Sequence, residues 1–270
     1  PGLEQTGTIT LRPPGREEPI NIGRRTETGM RLVRWRHVSL VFQGAMNALD
    51  PVQRIDRQLR EAIELHRSAA VVDSLLEMVG LPASVGGRYA HQLSGGQRQR
   101  VMIALAVACG PSVVIADEPT TALDVVLQAQ VLQLLARLRA ELGLALILIS
   151  HDLGVLAETC DRIAIMYAGR IVEAGSVDAV FTAPQHPYTK LLLESLPVIG
   201  GERKLAPPIP GGPPAPGDPP PGCRFHPRCP YAQEVCRTDD PAAREVRPGH
   251  ASACHFAPWA AWPVREEVSA

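Results

Sequence analysis

This sequence has little net charge, almost no lysine and no long hydrophobic run. Its 27 Lys and Arg residues nearly balance 28 Asp and Glu residues, and Lys190 and Lys204 are the only lysines among 270 residues. Because the arginines are scattered among acidic residues, nothing favours nucleic acid as a partner. The longest apolar run, residues 101–109, is less than half of the roughly 20 residues that a membrane span needs. Any membrane association is therefore expected to depend on partner proteins.

The chain is long enough for one main α/β domain with a short extension. Apolar strand patterns alternate with stretches of helical spacing, and the carboxyl end of a buried parallel strand is where such folds place their chemistry. This alternation predicts a doubly wound core. The predicted strands cover residues 7–11, 38–42, 112–116, 144–149 and 162–167, and the predicted helices cover 52–81, 97–109 and 124–142.

A short glycine motif precedes the second of these helices. Residues 93–97 read Leu-Ser-Gly-Gly-Gln. Glycines let the backbone approach a phosphate, Ser94 can cap the helix, and the helix N-terminus carries free N–H groups and a positive dipole end. The motif, with the acidic strand end that follows it, resembles the ABC-type ATPases. The resemblance implies that Ser94, Gly95, Gly96 and Gln97 bind the γ-phosphate of a nucleotide held by the other subunit of a dimer.

Two acidic residues, Asp117 and Glu118, end the buried strand at 112–116. A carboxylate at this position can hold Mg²⁺ through water against the β- and γ-phosphates of ATP. The resemblance implies that Asp117 has this role and that Glu118 is the general base. Residues 119–124 resemble the D-loop of the family, which adds Asp124 to the nucleotide-binding residues.

Two further residues complete the site that the resemblance implies. Gln43, at the start of a segment that resembles the Q-loop of peptide-importer ATPases, is expected to reach Mg²⁺ and the attacking water. His151 follows the strand at 144–149 and resembles the switch histidine that contacts the γ-phosphate. The expected cofactors are ATP and Mg²⁺.

The phosphate-binding loop G-x-x-x-x-G-K-S/T does not occur in these 270 residues. An ABC ATPase places that loop ahead of the motifs described above. The sequence is therefore interpreted as an N-terminally truncated fragment, with a degenerate subunit as the alternative. In either case the chain alone is expected to bind ATP weakly, because that loop supplies most phosphate contacts.

Residues 183–197 resemble the extension of ATPases from oligopeptide, dipeptide and nickel importers. The resemblance implies an ATP-hydrolysing subunit at the cytoplasmic face of an inner membrane. Its expected partners are transmembrane permease subunits, a second ATP-binding subunit in a homo- or heterodimer and, indirectly, an extracytoplasmic substrate-binding protein. One alternative is a soluble ABC ATPase of DNA repair or translation, although the long coiled coil or second cassette of those families is missing. Another is a non-catalytic assembly subunit.

The predicted organisation has three parts. Residues 1–182 form the ABC ATPase domain, with a helical subdomain at about 45–110. Residues 183–221 form the family extension and a linker rich in proline and glycine. Residues 222–257 form a small cysteine-rich module.

That last module is predicted to hold a metal. Its four cysteines, Cys223, Cys229, Cys236 and Cys254, could ligate an iron–sulfur cluster or zinc. The resemblance favours a 4Fe–4S cluster over Zn²⁺, and unligated cysteines come third. Three histidines are possible substitute ligands: His226, His250 and His255. The other two cysteines, Cys109 and Cys160, are expected to pack in the core.

Overall fold

The computed structural model describes residues 6–15, 17–44, 48–196, 209–215 and 217–262. Residues 45–47 of the predicted Q-loop, and residues 197–208 and 216 of the predicted extension and linker, lie outside these ranges. The chain divides into two compact units, Pro1–Val155 and Leu156–Ala270. In the described ranges, no helix is long and apolar enough to cross a membrane.

The N-terminal unit is built on a parallel sheet. Three strands, β3, β4 and β5, pair in that order, and β1 pairs with β2 in a separate antiparallel ribbon. The strands are β1 Thr10–Leu11, β2 Ile20–Asn21, β3 Val38–Val41, β4 Val113–Asp117 and β5 Ala145–Ile149. The helices are α1 Glu27–Arg31, α2 Ile55–His66, α3 Val72–Met78, α4 Gly95–Val107, α5 Val125–Leu142 and α6 Leu153–Thr159, which runs across the unit boundary. The predicted α/β class is confirmed.

The predicted helical stretch at 52–81 is two helices rather than one. α2 ends where Arg67 adopts a left-handed conformation with φ 53°, and its N–H donates to the Ile63 and Glu64 carbonyls. The Ser68 hydroxyl then donates to the Ala108 carbonyl at 2.7 Å, which fixes the break against the end of α4. The apolar spacing continues across this break because both helices bury residues in the same core, including Leu59 and Leu76.

The C-terminal unit contains an antiparallel sheet in the order β6-β7-β9-β8. Its strands are β6 Arg162–Tyr167, β7 Arg170–Ser176, β8 Arg244–Arg247 and β9 His250–Ser252, and its helices are α7 Val177–Thr182, α8 Pro187–Glu194 and α9 Val235–Thr238. The strand predicted at 162–167 therefore exists, but it does not join the parallel core. Ala168 and Gly169, with φ 46° and 78°, form a two-residue turn that folds β7 back onto β6.

The prediction of a separate cysteine-rich extension is not supported. β9 pairs with β7, at Glu173 opposite Ser252 and Ala174 opposite Ala251, so residues from the predicted module complete a sheet that begins before residue 183. A buried contact reinforces this pairing, since Glu173 Oε1 lies 2.7 Å from His250 Nε2. Main-chain pairing and a buried polar network thus tie this segment down. The predicted domain boundaries themselves stay a prediction.

Candidate functional site

The parallel sheet brings the predicted residues after each strand to one edge. Val41 of β3 lies opposite Ala116 of β4, and Asp117 lies opposite Ile149 of β5. Gln43, which is exposed, therefore follows its strand at the same edge as Asp117, Glu118 and His151. This is the edge at which α/β folds bind ligands.

Glu118 and His151 are in direct contact. The Glu118 Oε1 atom lies 2.8 Å from His151 Nδ1 and accepts a hydrogen bond from the His151 main-chain N–H at 3.1 Å. The second carboxylate oxygen accepts from the Thr121 hydroxyl at 3.1 Å. In the main chain, the Glu118 N–H donates to the Ile149 carbonyl at 3.0 Å. These contacts fix the carboxylate in one orientation between the ends of β4 and β5.

The backbone at Glu118 is unusual, because this residue has φ 47°. A left-handed conformation costs a non-glycine residue of order 1 kcal/mol or more, and such residues cluster at functional sites. The conformation turns the chain sharply out of β4, so that Thr121 reaches back to the same carboxylate. The left-handed backbone at Glu118 therefore serves to position its carboxylate.

The two partners shift each other's pKa in opposite directions. Burial raises the pKa of Glu118, but hydrogen bonds from His151 and Thr121 outweigh it, so the net pKa lies below the ordinary value. The hydrogen bond to Glu118, followed by its negative charge, raises the pKa of the exposed His151. Glu118 is therefore held as an ionised acceptor, which is the form that a general base requires.

The glycine motif forms a reciprocal helix cap. The Ser94 hydroxyl accepts from the Gln97 N–H at 3.2 Å, and Gln97 Oε1 accepts from the Ser94 N–H at 3.1 Å. This is the capping box, so both side chains are engaged at the start of α4. The N–H groups of Gly95 and Gly96 lie between the two N–H groups that these bonds use, and they are the natural donors for an anion at this helix end.

Gly96 has a second, packing role that its sequence context did not reveal. A Cβ added at Gly96 would lie 3.1 Å from Leu127 Cδ2, whereas one added at Gly95 would meet Leu123 Cδ2 at 3.6 Å. The absence of a side chain at Gly96 thus lets Leu127 of α5 lie close to the start of α4. The glycine motif therefore packs directly on the segment that follows Glu118.

Asp124 lies at the end of that segment and caps α5. Its carboxylate accepts from the Leu127 N–H at 2.9 Å, as the sequence predicts for an N-cap. Sequence reasoning missed Gln128, whose amide donates to the carbonyls of Thr120 and Leu123 at 3.4 and 3.2 Å. Within the same segment, Ala122 has a left-handed backbone conformation with φ 64°. Residues 119–124 are thus a fixed turn, although only Asp124 signals it in the sequence.

The prediction of a metal centre in the C-terminal unit is wrong. In the described ranges, no group of three or more His, Cys, Asp or Glu residues could hold a metal ion. The four cysteines line one cavity of about 20 Å³, which is room for about one water molecule. Burial raises the pKa of the Cys223 and Cys254 thiols and raises that of Cys229 to about 12, so these groups are neutral thiols.

The three histidines named as substitute ligands have other partners. His226 Nδ1 lies 3.0 Å from the Cys223 carbonyl, and His255 Nε2 lies 2.9 Å from the Asp239 carbonyl. His250 is the buried partner of Glu173. Neither the iron–sulfur nor the zinc prediction is supported by this arrangement.

Comparison with known proteins identifies the family. Residues 6–121 match the ABC transporter model, and residues 172–236 match the model for the C-terminal region of oligopeptide/dipeptide transporters. A probable peptide ABC transporter ATP-binding protein of Sinorhizobium fredii is 46% identical over 238 residues, which cover 85% of this chain and 71% of that protein. This chain belongs to the ATP-binding proteins of peptide ABC transporters.

Other relatives agree with this placement. The dipeptide transport ATP-binding protein DppD of Escherichia coli is 44% identical over 228 residues, covering 81% of this chain and 69% of DppD. Among solved structures, the ATP-binding cassette MJ0796, described as a dimer in a post-hydrolysis state bound to ADP and Pi, aligns with a TM-score of 0.51 and 28% identity. The alignment covers 58% of this chain and 70% of that one. These matches confirm two predictions for this chain, the ABC ATPase fold and the enzyme class of an ABC-type ATPase.

Proposed function

We propose that this chain is the ATP-hydrolysing subunit of a peptide importer and that Glu118 is its general base. The observation that carries the proposal is the contact of Glu118 with His151 at the adjoining ends of β4 and β5. The family match favours this role over a soluble ATPase of DNA repair or translation. The ionised, oriented carboxylate argues against a non-catalytic assembly subunit.

The donor groups at this edge suit magnesium and a nucleotide. Mg²⁺ prefers oxygen ligands, which Asp117 and Gln43 supply, and the first N–H groups of α4 suit a phosphate. When bound, Mg²⁺-ATP supplies the phosphoanhydride bond and neutralises charge on the phosphates. Asp117 and Gln43 would hold the metal in this proposal, and Ser94, Gly95, Gly96 and Gln97 form the helix end that would receive the γ-phosphate of a nucleotide held by the second subunit.

Each remaining residue has a definable task. Glu118 accepts a proton from the attacking water, since its carboxylate is ionised and oriented by Thr121. With Nδ1 directed to Glu118, His151 has Nε2 left for a phosphate oxygen. Asp124 and Gln128 hold the turn at 119–124 between the base and α5. The proposal thus gives this chain both a base and a phosphate-binding helix end.

The nucleotide itself is proposed to lie between two subunits. The resemblance to dimeric ABC ATPases implies that the glycine motif of this chain faces a nucleotide anchored on a second ATP-binding subunit. The complex would include transmembrane permease subunits at the cytoplasmic face of the inner membrane, and a substrate-binding protein would deliver the peptide. The isolated chain should bind labelled ATP weakly, and micromolar affinity in a direct titration would contradict this part of the proposal.

The catalytic assignment is tested in the assembled transporter. Glu118→Gln should lower ATP hydrolysis by about 10²–10⁴-fold while leaving ATP binding intact, because the amide keeps the shape but cannot accept the proton. Glu141→Gln, an equal charge change at an exposed position near the end of α5, should leave both unchanged. Near-normal hydrolysis by Glu118→Gln would show that another group is the base.

A further inference from the structure

A cavity in the C-terminal unit has no part in the site described above. It has a volume of about 430 Å³, within the roughly 300–1,000 Å³ range of small-molecule sites. It lies among the end of α7, the side of α8, the end of β8 and residues 259–262. Its lining combines aromatic surface with groups of both charges.

The aromatic wall of this cavity is a pair of tryptophans. The rings of Trp259 and Trp262 stack with centroids 4.5 Å apart at 24°. The main-chain N–H of Trp259 donates to Gln185 Oε1 at 2.7 Å, and the main-chain N–H of Gln185 donates to Glu173 Oε1 at 2.6 Å. Gln185 is only 1% exposed, so a buried network holds the base of the wall in place.

Charged groups of both signs share the same cavity. Lys190 pairs with Glu194 one helical turn later on α8, and its ammonium lies 5.7 Å from the Trp262 ring centroid. Arg247 also lines the cavity, and its guanidinium has no ion pair or side-chain hydrogen bond with any described residue. One guanidinium is therefore left to receive an anion, beside a carboxylate that already pairs with Lys190.

We propose that this cavity binds a short zwitterionic peptide. Arg247 presents a planar pair of donors to the peptide carboxylate, as arginine does for carboxylates generally. Glu194, which keeps its pair with Lys190, accepts a further hydrogen bond from the peptide ammonium group, and an apolar peptide side chain lies on the indole rings of Trp259 and Trp262. The choice of a peptide over other amphoteric molecules rests on the proposed function in peptide import.

The tryptophans provide a direct readout. The protein has three tryptophans, so a Trp35→Phe variant of the full chain retains emission only from the pair in the cavity wall. Titration with the tripeptide Ala-Phe-Ala should give a saturable fluorescence change. The same tripeptide with an acetylated N-terminus and an amidated C-terminus should bind about tenfold or more weakly, because it lacks both charges.

Substitutions then locate the site. Arg247→Gln should weaken binding of the free tripeptide about tenfold or more, whereas Arg237→Gln, an exposed arginine of α9 outside the cavity, should not change it. The proposal is overturned if there is no saturable change, if free and blocked tripeptides bind equally, or if acetate alone competes as well as the tripeptide. The titration needs neither ATP nor permease subunits, so an absence of peptide binding would not affect the hydrolysis test of Glu118. Conversely, a failure of the hydrolysis test would not prevent the isolated chain from binding the tripeptide.

Discussion

The adjacent glycines of the phosphate-binding helix are expected to respond oppositely to the same substitution. A methyl group at Gly96 would lie 3.1 Å from Leu127 Cδ2, closer than ordinary packing, whereas one at Gly95 would meet Leu123 at 3.6 Å, an ordinary contact distance. Overpacking costs about 1–3 kcal/mol, and replacing a helical glycine by alanine returns about 0.5–1 kcal/mol. Gly96→Ala should therefore lower the free energy of unfolding by about 1 kcal/mol, and Gly95→Ala should leave it unchanged or raise it.

The assay is urea unfolding followed at a single tryptophan of the N-terminal unit. Trp35 packs against the main core of that unit, whereas Trp259 and Trp262 belong to the other unit. In a Trp259→Phe, Trp262→Phe background, Gly96→Ala should lower the urea midpoint by about 0.5 M relative to Gly95→Ala. Adding Leu127→Ala to both should abolish that difference, since it removes the crowded atoms. Equal midpoints for the two glycine variants, or a difference that survives Leu127→Ala, would refute the packing argument.

Three further predictions concern single contacts. Asp124→Ala should lower the free energy of unfolding by about 1 kcal/mol in the same urea assay, because it removes the cap of α5, and Asp124→Asn should retain most of it; equal losses in both would contradict the cap. Glu118→Gln should lower the pKa of His151 measured by NMR, because the amide oxygen is a weaker acceptor than the carboxylate and the negative charge that raises this pKa is gone. In the wild-type protein the Glu118–His151 ion pair should exist at pH values above the lowered pKa of Glu118 and below the raised pKa of His151. An unchanged pKa of His151 in Glu118→Gln would refute the contact. Glu173→Ala should cost about 3 kcal/mol or more in the C-terminal unit, followed at Trp259 and Trp262, because it strands His250 and two buried N–H groups; a loss below about 1 kcal/mol would show that the network adds little.

Helix caps and strand ends could be predicted from the sequence because each depends on only a few neighbouring residues. The caps formed by Ser94 and Asp124 follow from residue type and spacing, and both hydrogen bonds are present. The placement of Asp117, Glu118 and His151 at one sheet edge follows from the alternation of strands and helices. The contact of Glu118 with Thr121, by contrast, depends on a left-handed residue that no glycine or asparagine announces.

Long-range pairing could not be predicted, because it depends on contacts between residues that are distant in the sequence. The turn that takes β6 into an antiparallel hairpin uses Ala168 with φ 46°, where asparagine or aspartate would be the usual signal. The cysteine cluster suggested a metal because Cys223, Cys229, Cys236 and Cys254 are close in sequence. In the structure these cysteines line a cavity of about 20 Å³ together with His186, which is distant in sequence and lies outside the cysteine pattern.

The central claim is that Glu118 of this chain drives peptide import by activating water for ATP hydrolysis. The most direct test is ATP-dependent uptake of a labelled tripeptide by proteoliposomes that contain the assembled transporter, with matched amounts of wild-type, Glu118→Gln and Glu141→Gln protein. The account predicts that uptake falls about 10²-fold or more with Glu118→Gln and is unchanged with Glu141→Gln. Undiminished uptake by the Glu118→Gln transporter would contradict it.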